Sequence, residues 1–316
     1  MSRYAGTRIA LATFALATIF AQLAVYTATA ESVYWTDRIA RKIQRANLDG
    51  SDVTDLISFA GTADPRGLDL DLSAGHMYWA DSALGRVRRA NLDGSGMVDL
   101  VLGLNAPSGL AVDTAGGSIY WAEENGERIV RANLDGTNVQ PLVTTGLDSP
   151  YFVALDASAG KIYWTDFGTR RIQRSNLDGT TVETIFTEPS GSSLLRGIAL
   201  DTVADEIYWT DRGVDRIQRV AYDGTGVTPL VTSGLDATHG IALDLGMGKM
   251  YWTDTGAHSI SRANLDGTDA ETIVGVGLSN PWGIALDLRP VPEPSTLALL
   301  GAAGFAVVLR RLIRRR

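Results

Sequence analysis

Tyr34-Trp35-Thr36-Asp37 decides the fold, because the chain keeps returning to it. The pattern recurs at Tyr78, Tyr120, Tyr163, Tyr208 and Tyr251, with Ala80 and Ala122 in place of Thr and Glu123 in place of Asp. Successive tyrosines are 44, 42, 43, 45 and 43 residues apart. Six copies at that period mark a repeat architecture, in which each unit buries its apolar surface against its neighbours. In the copy at 161–166, Ile162 and Trp164 alternate with Tyr163 and Thr165, so a strand here carries large side chains on both faces. Such a strand needs cover on both sides, and a sheet stacked between two others supplies it.

Working outward, a run that mostly reads Gly-Ile-Ala-Leu-Asp recurs at 66–71, 108–113, 151–156, 196–201, 239–244 and 282–287, and precedes every Tyr-Trp pair but the first. Small Gly and Ala among Ile and Leu suit a strand where backbones converge, as at a central axis. Downstream comes a third run such as 171–177, then Asp-Gly at 49–50, 93–94, 135–136, 178–179, 223–224 and 266–267. Asp-Gly between apolar runs signals a tight hairpin, since Gly accepts positive φ. A fourth run follows, as at 182–186 and 270–274. Four antiparallel strands in about 43 residues make a propeller blade, and six of them predict an all-β, six-bladed β-propeller. The first Tyr-Trp strand lacks a preceding Gly-Ile-Ala-Leu-Asp strand, and the last such strand, 282–287, lacks a following Tyr-Trp strand. Pairing the two closes the ring and removes the open edge.

These motifs, in register over residues 32–288, resemble the class B repeats of the low-density lipoprotein receptor family, which fold as six-bladed YWTD propellers. In animal receptors such propellers are flanked by cysteine-rich modules. This chain has no cysteine, so what the receptors do as whole molecules does not carry over. The expected organisation is a leader at 1–30, a propeller at 31–288 and a tail at 289–316.

Both ends read as addresses. Arg3 and Arg8 precede an apolar run from Ile9 to Val25, and Ala28-Thr29-Ala30 offers a small-residue cleavage site, the layout of a secretory signal peptide. The C-terminal end has Pro292-Glu293-Pro294, an uncharged apolar run from Thr296 to Leu309, then five arginines within 310–316. That run is shorter than the roughly 20 residues that span a bilayer comfortably. Snorkelling by Arg310 extends its reach, and the basic cluster belongs on the cytoplasmic side. The three parts resemble the PEP-CTERM sorting signal of Gram-negative bacteria. The resemblance implies an exosortase-type processing enzyme as partner, transient anchoring in the cytoplasmic membrane through the tail, and delivery to the cell surface or extracellular matrix.

The formal charge is −8 over 316 residues, yet residues 31–288 hold 20 basic and 35 acidic side chains, near −15. An acidic body of that kind argues against nucleic acid as partner. His76, His239 and His258 lack metal-ligand spacing, and no nucleophile elbow, phosphate loop or dinucleotide fingerprint appears. Asp69-Leu70-Asp71-Leu72-Ser73 faintly resembles a calcium loop, but Gly75 falls one place late and no Glu stands at the twelfth position. The expectation is therefore no catalytic residue, no metal and no cofactor. A calcium-dependent lactonase-like hydrolase, or another hydrolase of the same superfold, is the alternative.

Two residue sets remain. The acids at 37, 81, 123, 166, 211 and 254 are each followed eight residues later by Arg45, Arg89, Arg131, Arg174, Arg219 and Arg262. Six such pairs in six blades are expected to stitch strands or neighbouring blades. The second set is a ring on one face of the disc, where the first strand of a blade starts and the second ends. Blade by blade it pairs Trp282 with Arg38, Arg66 with Ser82, Ser108 with Glu124, Tyr151 with Phe167, Arg196 with Arg212, and His239 with Thr255. Exposed aromatic and Arg side chains are favoured at binding hot spots. Arg38, Arg66, Tyr151, Phe167, Arg196, Arg212, His239 and Trp282 are therefore the candidate ligand-binding residues. The expected ligand is an extracellular protein or an anionic polysaccharide, with Glu124 the one acid in the ring.

Overall fold

In a computed structural model that describes residues 31–189 and 191–289, the chain forms 24 strands in six four-stranded antiparallel sheets. No helix among the described residues is long and apolar enough to cross a membrane. The leader at 1–30 and the sorting motif at 292–294 lie outside the described residues.

The ring closes as expected. The strand Pro281–Asp287 pairs antiparallel with Ser32–Asp37, setting Ser32 opposite Asp287 and Tyr34 opposite Ala285. Blade 1 thus combines residues 32–58 with 281–287. Blades 2 to 6 follow in order, with inner strands Pro65–Asp71, Pro107–Asp113, Pro150–Asp156, Leu195–Asp201 and Thr238–Asp244.

The alternation read from Tyr-Trp-Thr-Asp sets the packing between blades. Trp35, Trp79, Trp121, Trp164 and Trp209 are fully buried, as are Tyr34, Tyr78, Tyr120, Tyr163 and Tyr208 to within 1%. The Thr hydroxyl joins adjacent blades near the axis. Thr165 Oγ1 accepts from Phe152 N of its own inner strand and donates to Arg196 O of the next, at 2.6 Å. Thr36, Thr210 and Thr253 repeat the arrangement towards Arg66, His239 and Trp282. Inner strands approach so closely that a Cβ on Gly197 would stand 2.2 Å from His239 O. Blade 4 departs, carrying Phe152 where the others carry Gly.

The six acid–Arg pairs do not pair with each other. Arg45 lies opposite Tyr34 in the ladder while Asp37 lies opposite Lys42, three residues along the strand. The acid caps backbone instead: Asp37 accepts from Ser279 N, Asn280 N and Ala40 N. Arg174 reaches Tyr222 O and Arg262 reaches Leu48 O of the following blade, while Arg131 bonds Ser118 and Arg219 bonds Glu206 within their own. Both members stitch the fold, but separately.

Candidate recognition face

The predicted ring assembles blade by blade. In every blade the residue after Tyr-Trp-x-acid donates its N–H to a carbonyl two residues before the ring residue of the inner strand: Arg38 to Asn280, Ser82 to Asp64, Glu124 to Ala106, Phe167 to Ser149, Arg212 to Leu194 and Thr255 to Ala237. These six bonds hold the loops of one face, here the upper face, around the axis.

What they hold is more closed than the sequence suggests. Trp282, which the sequence reads as exposed, is fully buried. It stacks on Tyr151 and Phe152 of blade 4, diametrically opposite, at ring separations of 5.3 and 5.4 Å, and on His239 at 5.2 Å. Arg66 and Arg38 lie over its ring at 5.0 and 5.6 Å. Tyr151 and His239 are buried too, so an aromatic plug closes the upper end of the axis. The reason is that Phe152 stands where Gly is usual and gives Trp282 a partner across the axis. His239 donates its Nδ1–H to Ala237 O at 3.0 Å. Burial, followed by the charge of Arg196, holds the His239 imidazole well below its usual pKa, hence neutral.

The four arginines separate into two pairs. Arg66 Nη1 bonds Glu124 Oε2 at 2.6 Å and its Nε bonds Asp64 Oδ2 at 3.1 Å, while Arg38 Nη2 reaches Asp64 Oδ2 at 3.2 Å. Burial opposes the Arg66 charge, but Tyr151, Asp64 and Glu124 outweigh it and raise its pKa. Asp64 escaped the sequence reading; its signal is its place two residues before Arg66. Glu124 is therefore not the sole acid opposing the arginines.

Arg196 is different. Its guanidinium lies 4.0 Å from the Tyr151 ring and 4.6 Å from the Phe167 ring. The residue is 7% exposed, and Nε and Nη1 find no hydrogen-bond acceptor among the described residues. Burial first, and then the charge of Arg212, lower its pKa despite the favourable contribution of Tyr151. Beside it Arg212 is exposed and makes no ion pair among the described residues. Phe167 is half-buried. The arrangement offers a desolvated cation held by aromatic faces and a second cation in solvent next to it, neither in an ion pair among the described residues.

Among the described residues no three His, Asp or Glu side chains gather as a metal site. Asp69 and Asp71 of the calcium-like stretch serve different ends: Asp71 caps Ser73 N and Ala74 N at the hairpin, while Asp69 faces the central channel.

The family model for the low-density lipoprotein receptor repeat class B matches residues 75–114, 160–202 and 248–288, and the PEP-CTERM protein-sorting motif matches residues 290–316. A search of curated proteins finds no match. Among solved structures, a nidogen/laminin complex aligns with a TM-score of 0.75 at 24% identity, covering 82% of this chain and 98% of that one. A virginiamycin B lyase from Staphylococcus aureus aligns with a TM-score of 0.60 at 23% identity over 76% of this chain and 80% of that one. A streptogramin B lyase gives 0.61 at 19% over 80% and 83%. At these identities the likeness is one of fold, and the same fold carries binding proteins and lyases. The chain is a six-bladed β-propeller in which three segments match the low-density lipoprotein receptor class B repeat, with a PEP-CTERM sorting motif at its C-terminal end, a motif that implies export and anchoring of that end.

Proposed function

We propose that the protein is an exported recognition module of a bacterial surface or extracellular matrix, delivered by a cleaved leader and an exosortase-processed tail. Its upper face takes an acidic partner, either an anionic polysaccharide or an acidic protein segment. The observation that carries this reading is Arg196: a buried guanidinium with no carboxylate partner, set beside the solvent-exposed Arg212 on a body of net negative charge. An unneutralised buried cation costs stability. Of the other five blades, four carry Trp282, Ser108, Tyr151 and His239 at the equivalent place and one carries Arg66 paired with Asp64 and Glu124, so the fold itself needs no unpaired Arg there. The charge therefore serves something outside the chain. A local positive patch draws anions at short range while the net charge repels them at long range.

The contacts leave Arg212 and Phe167 as the accessible recognition set, with Arg38 at its margin and the buried Arg196 supplying charge from behind them. Trp282, Tyr151 and His239 become its supporting floor. A catalytic reading, whether hydrolase or lyase, needs a titratable group open to substrate. His239, the titratable ring member best suited to acid–base work, is buried and engaged with Ala237 O.

The test is retention of native extracellular material by the parent and by an Arg196→Ala, Arg212→Ala variant with a matching melting curve. Salt-sensitive capture by the parent and at least tenfold less by the variant are the expected results. Equal capture would move the recognition face elsewhere, and turnover of a lactone or peptide-lactone substrate by the parent would overturn the non-enzymatic part.

A further inference from the structure

Below the aromatic plug the inner strands enclose a central cavity of about 300 Å³, lined by Leu110, Ile198, Ile241 and Ile284 with their neighbours. That is at the lower end of the size range of small-molecule pockets. The side chains towards its lower end, among them Leu155, Leu243 and Leu286, are half-buried, so the cavity meets solvent from below while the plug closes it above. Every lining side chain is apolar except one, Asp69.

Asp69 stands where the repeat calls for Ala. The ladder sets Asp69 opposite Tyr78, and the equivalent partners of Tyr34, Tyr120, Tyr163, Tyr208 and Tyr251 are Ala285, Ala111, Ala154, Ala199 and Ala242. Five blades therefore show that the fold is built with a methyl group at this place. The carboxylate accepts only backbone N–H groups, Leu70 N at Oδ1 and Val112 N at Oδ2, both at 2.8 Å, and forms no ion pair among the described residues. A carboxylate in an apolar tube is costly unless a cation reaches it, and desolvation indeed pushes its pKa up to about 6.

We propose that the central channel binds a small organic monocation, an amine on a short apolar body that enters from the lower face, with its ammonium at Asp69 and its hydrocarbon against Leu110, Ile198, Ile241 and Ile284. A divalent metal fits poorly, because calcium takes six to eight oxygen ligands and Asp69 is the single side-chain oxygen donor lining the cavity. An anion is excluded by the charge of Asp69. The site stands apart from the upper-face reading, since the plug separates the two.

The experiment is calorimetric titration of the full-length protein with n-hexylammonium, n-hexanol and hexanoate, repeated on Asp69→Ala and Asp69→Asn. Asp69→Ala installs the residue of the other five blades, and Asp69→Asn keeps an acceptor for Val112 N while removing the charge. The expected result is saturable hexylammonium binding at one site, at least tenfold tighter than hexanol, with no hexanoate binding. In both variants hexylammonium should fall to the hexanol level, and Arg196→Ala, Arg212→Ala should leave it unchanged. Absence of saturable hexylammonium binding in the parent, or its persistence in either Asp69 variant, would overturn the proposal.

Discussion

On the lower face of the disc, six turns are built from the same bonds. In each, the Asp of Asp-Gly accepts from the backbone N–H and the hydroxyl two residues on, as Asp49 does from Ser51 and Asp178 from Thr180. On the upper face no two blades present the same pair of side chains: Trp282 with Arg38, Tyr151 with Phe167, Arg196 with Arg212. Both faces are held by the same strands and the same loop hydrogen bonds, so folding alone explains the first and does not require the second. Where a repeat is kept, the residue serves the repeat; where it is broken, at Phe152, Arg196 or Asp69, another demand acts on it.

Deleting residues 281–287 should produce the largest effect. It removes the inner strand of blade 1 and the clasp with Ser32–Asp37, exceeding the 4–5 kcal/mol that already counts as exceptional for one substitution. Loss of the cooperative transition in a thermal melt is the expected outcome. A truncated chain melting within a few degrees of the parent would remove closure from the account. Next, Trp282→Ala should cost about 3–5 kcal/mol in denaturant unfolding, the range for emptying a buried large aromatic site, because the ring fills the axis against Tyr151, Phe152 and His239.

The central channel and the lower-face turns should also titrate in opposite directions. Asp69 has its folded pKa raised from 3.8 to about 6 by burial, so the folded state binds the proton more tightly and stability falls as pH rises from about 4 to about 6. Relative to Asp69→Ala, the parent should gain up to roughly 3 kcal/mol between pH 7 and pH 4, at about 1.4 kcal/mol for each tenfold difference in proton affinity between the folded and unfolded chain. Denaturant midpoints of both proteins across that window check it; parallel pH profiles would contradict it. The lower-face Asp135 has its pKa lowered, chiefly by the Thr137 hydroxyl, so its contribution is present above 3.8 and lost on acidification. Asp135→Ala should be the smallest effect, with a denaturant midpoint close to that of the parent.

The propeller was legible because its signals are local and repeated: the alternation of Tyr-Trp-Thr-Asp, the Gly of crowded inner strands, the unmatched strands at each end. The membership of the upper ring was legible for the same reason. Its exposure was not. Whether Trp282 faces solvent depends on what stands across the axis, and Phe152, 130 residues away in sequence, decides that. Asp64 lies just before an inner strand, outside the repeated motif, so its bonds to Arg38 and Arg66 had no periodic signal. Asp69 drew notice as part of a calcium-like stretch. Its alignment with the five alanines shows instead where it sits. The acid–Arg spacing of eight residues stitches the fold without a mutual contact, because antiparallel register sets the two groups three residues apart along the ladder.

The central claim is that the upper face, through Arg196 and Arg212, recognises carboxylate-bearing partners. Binding of polygalacturonate by the full-length protein at 50 and 300 mM salt, measured alongside Arg196→Gln, Arg212→Gln and the lower-face variant Asp135→Ala, tests it most directly. The predicted result is binding by the parent and by Asp135→Ala that weakens at least tenfold at the higher salt, and none by the upper-face variant. Equal binding by all three proteins, or binding that ignores salt, would contradict it.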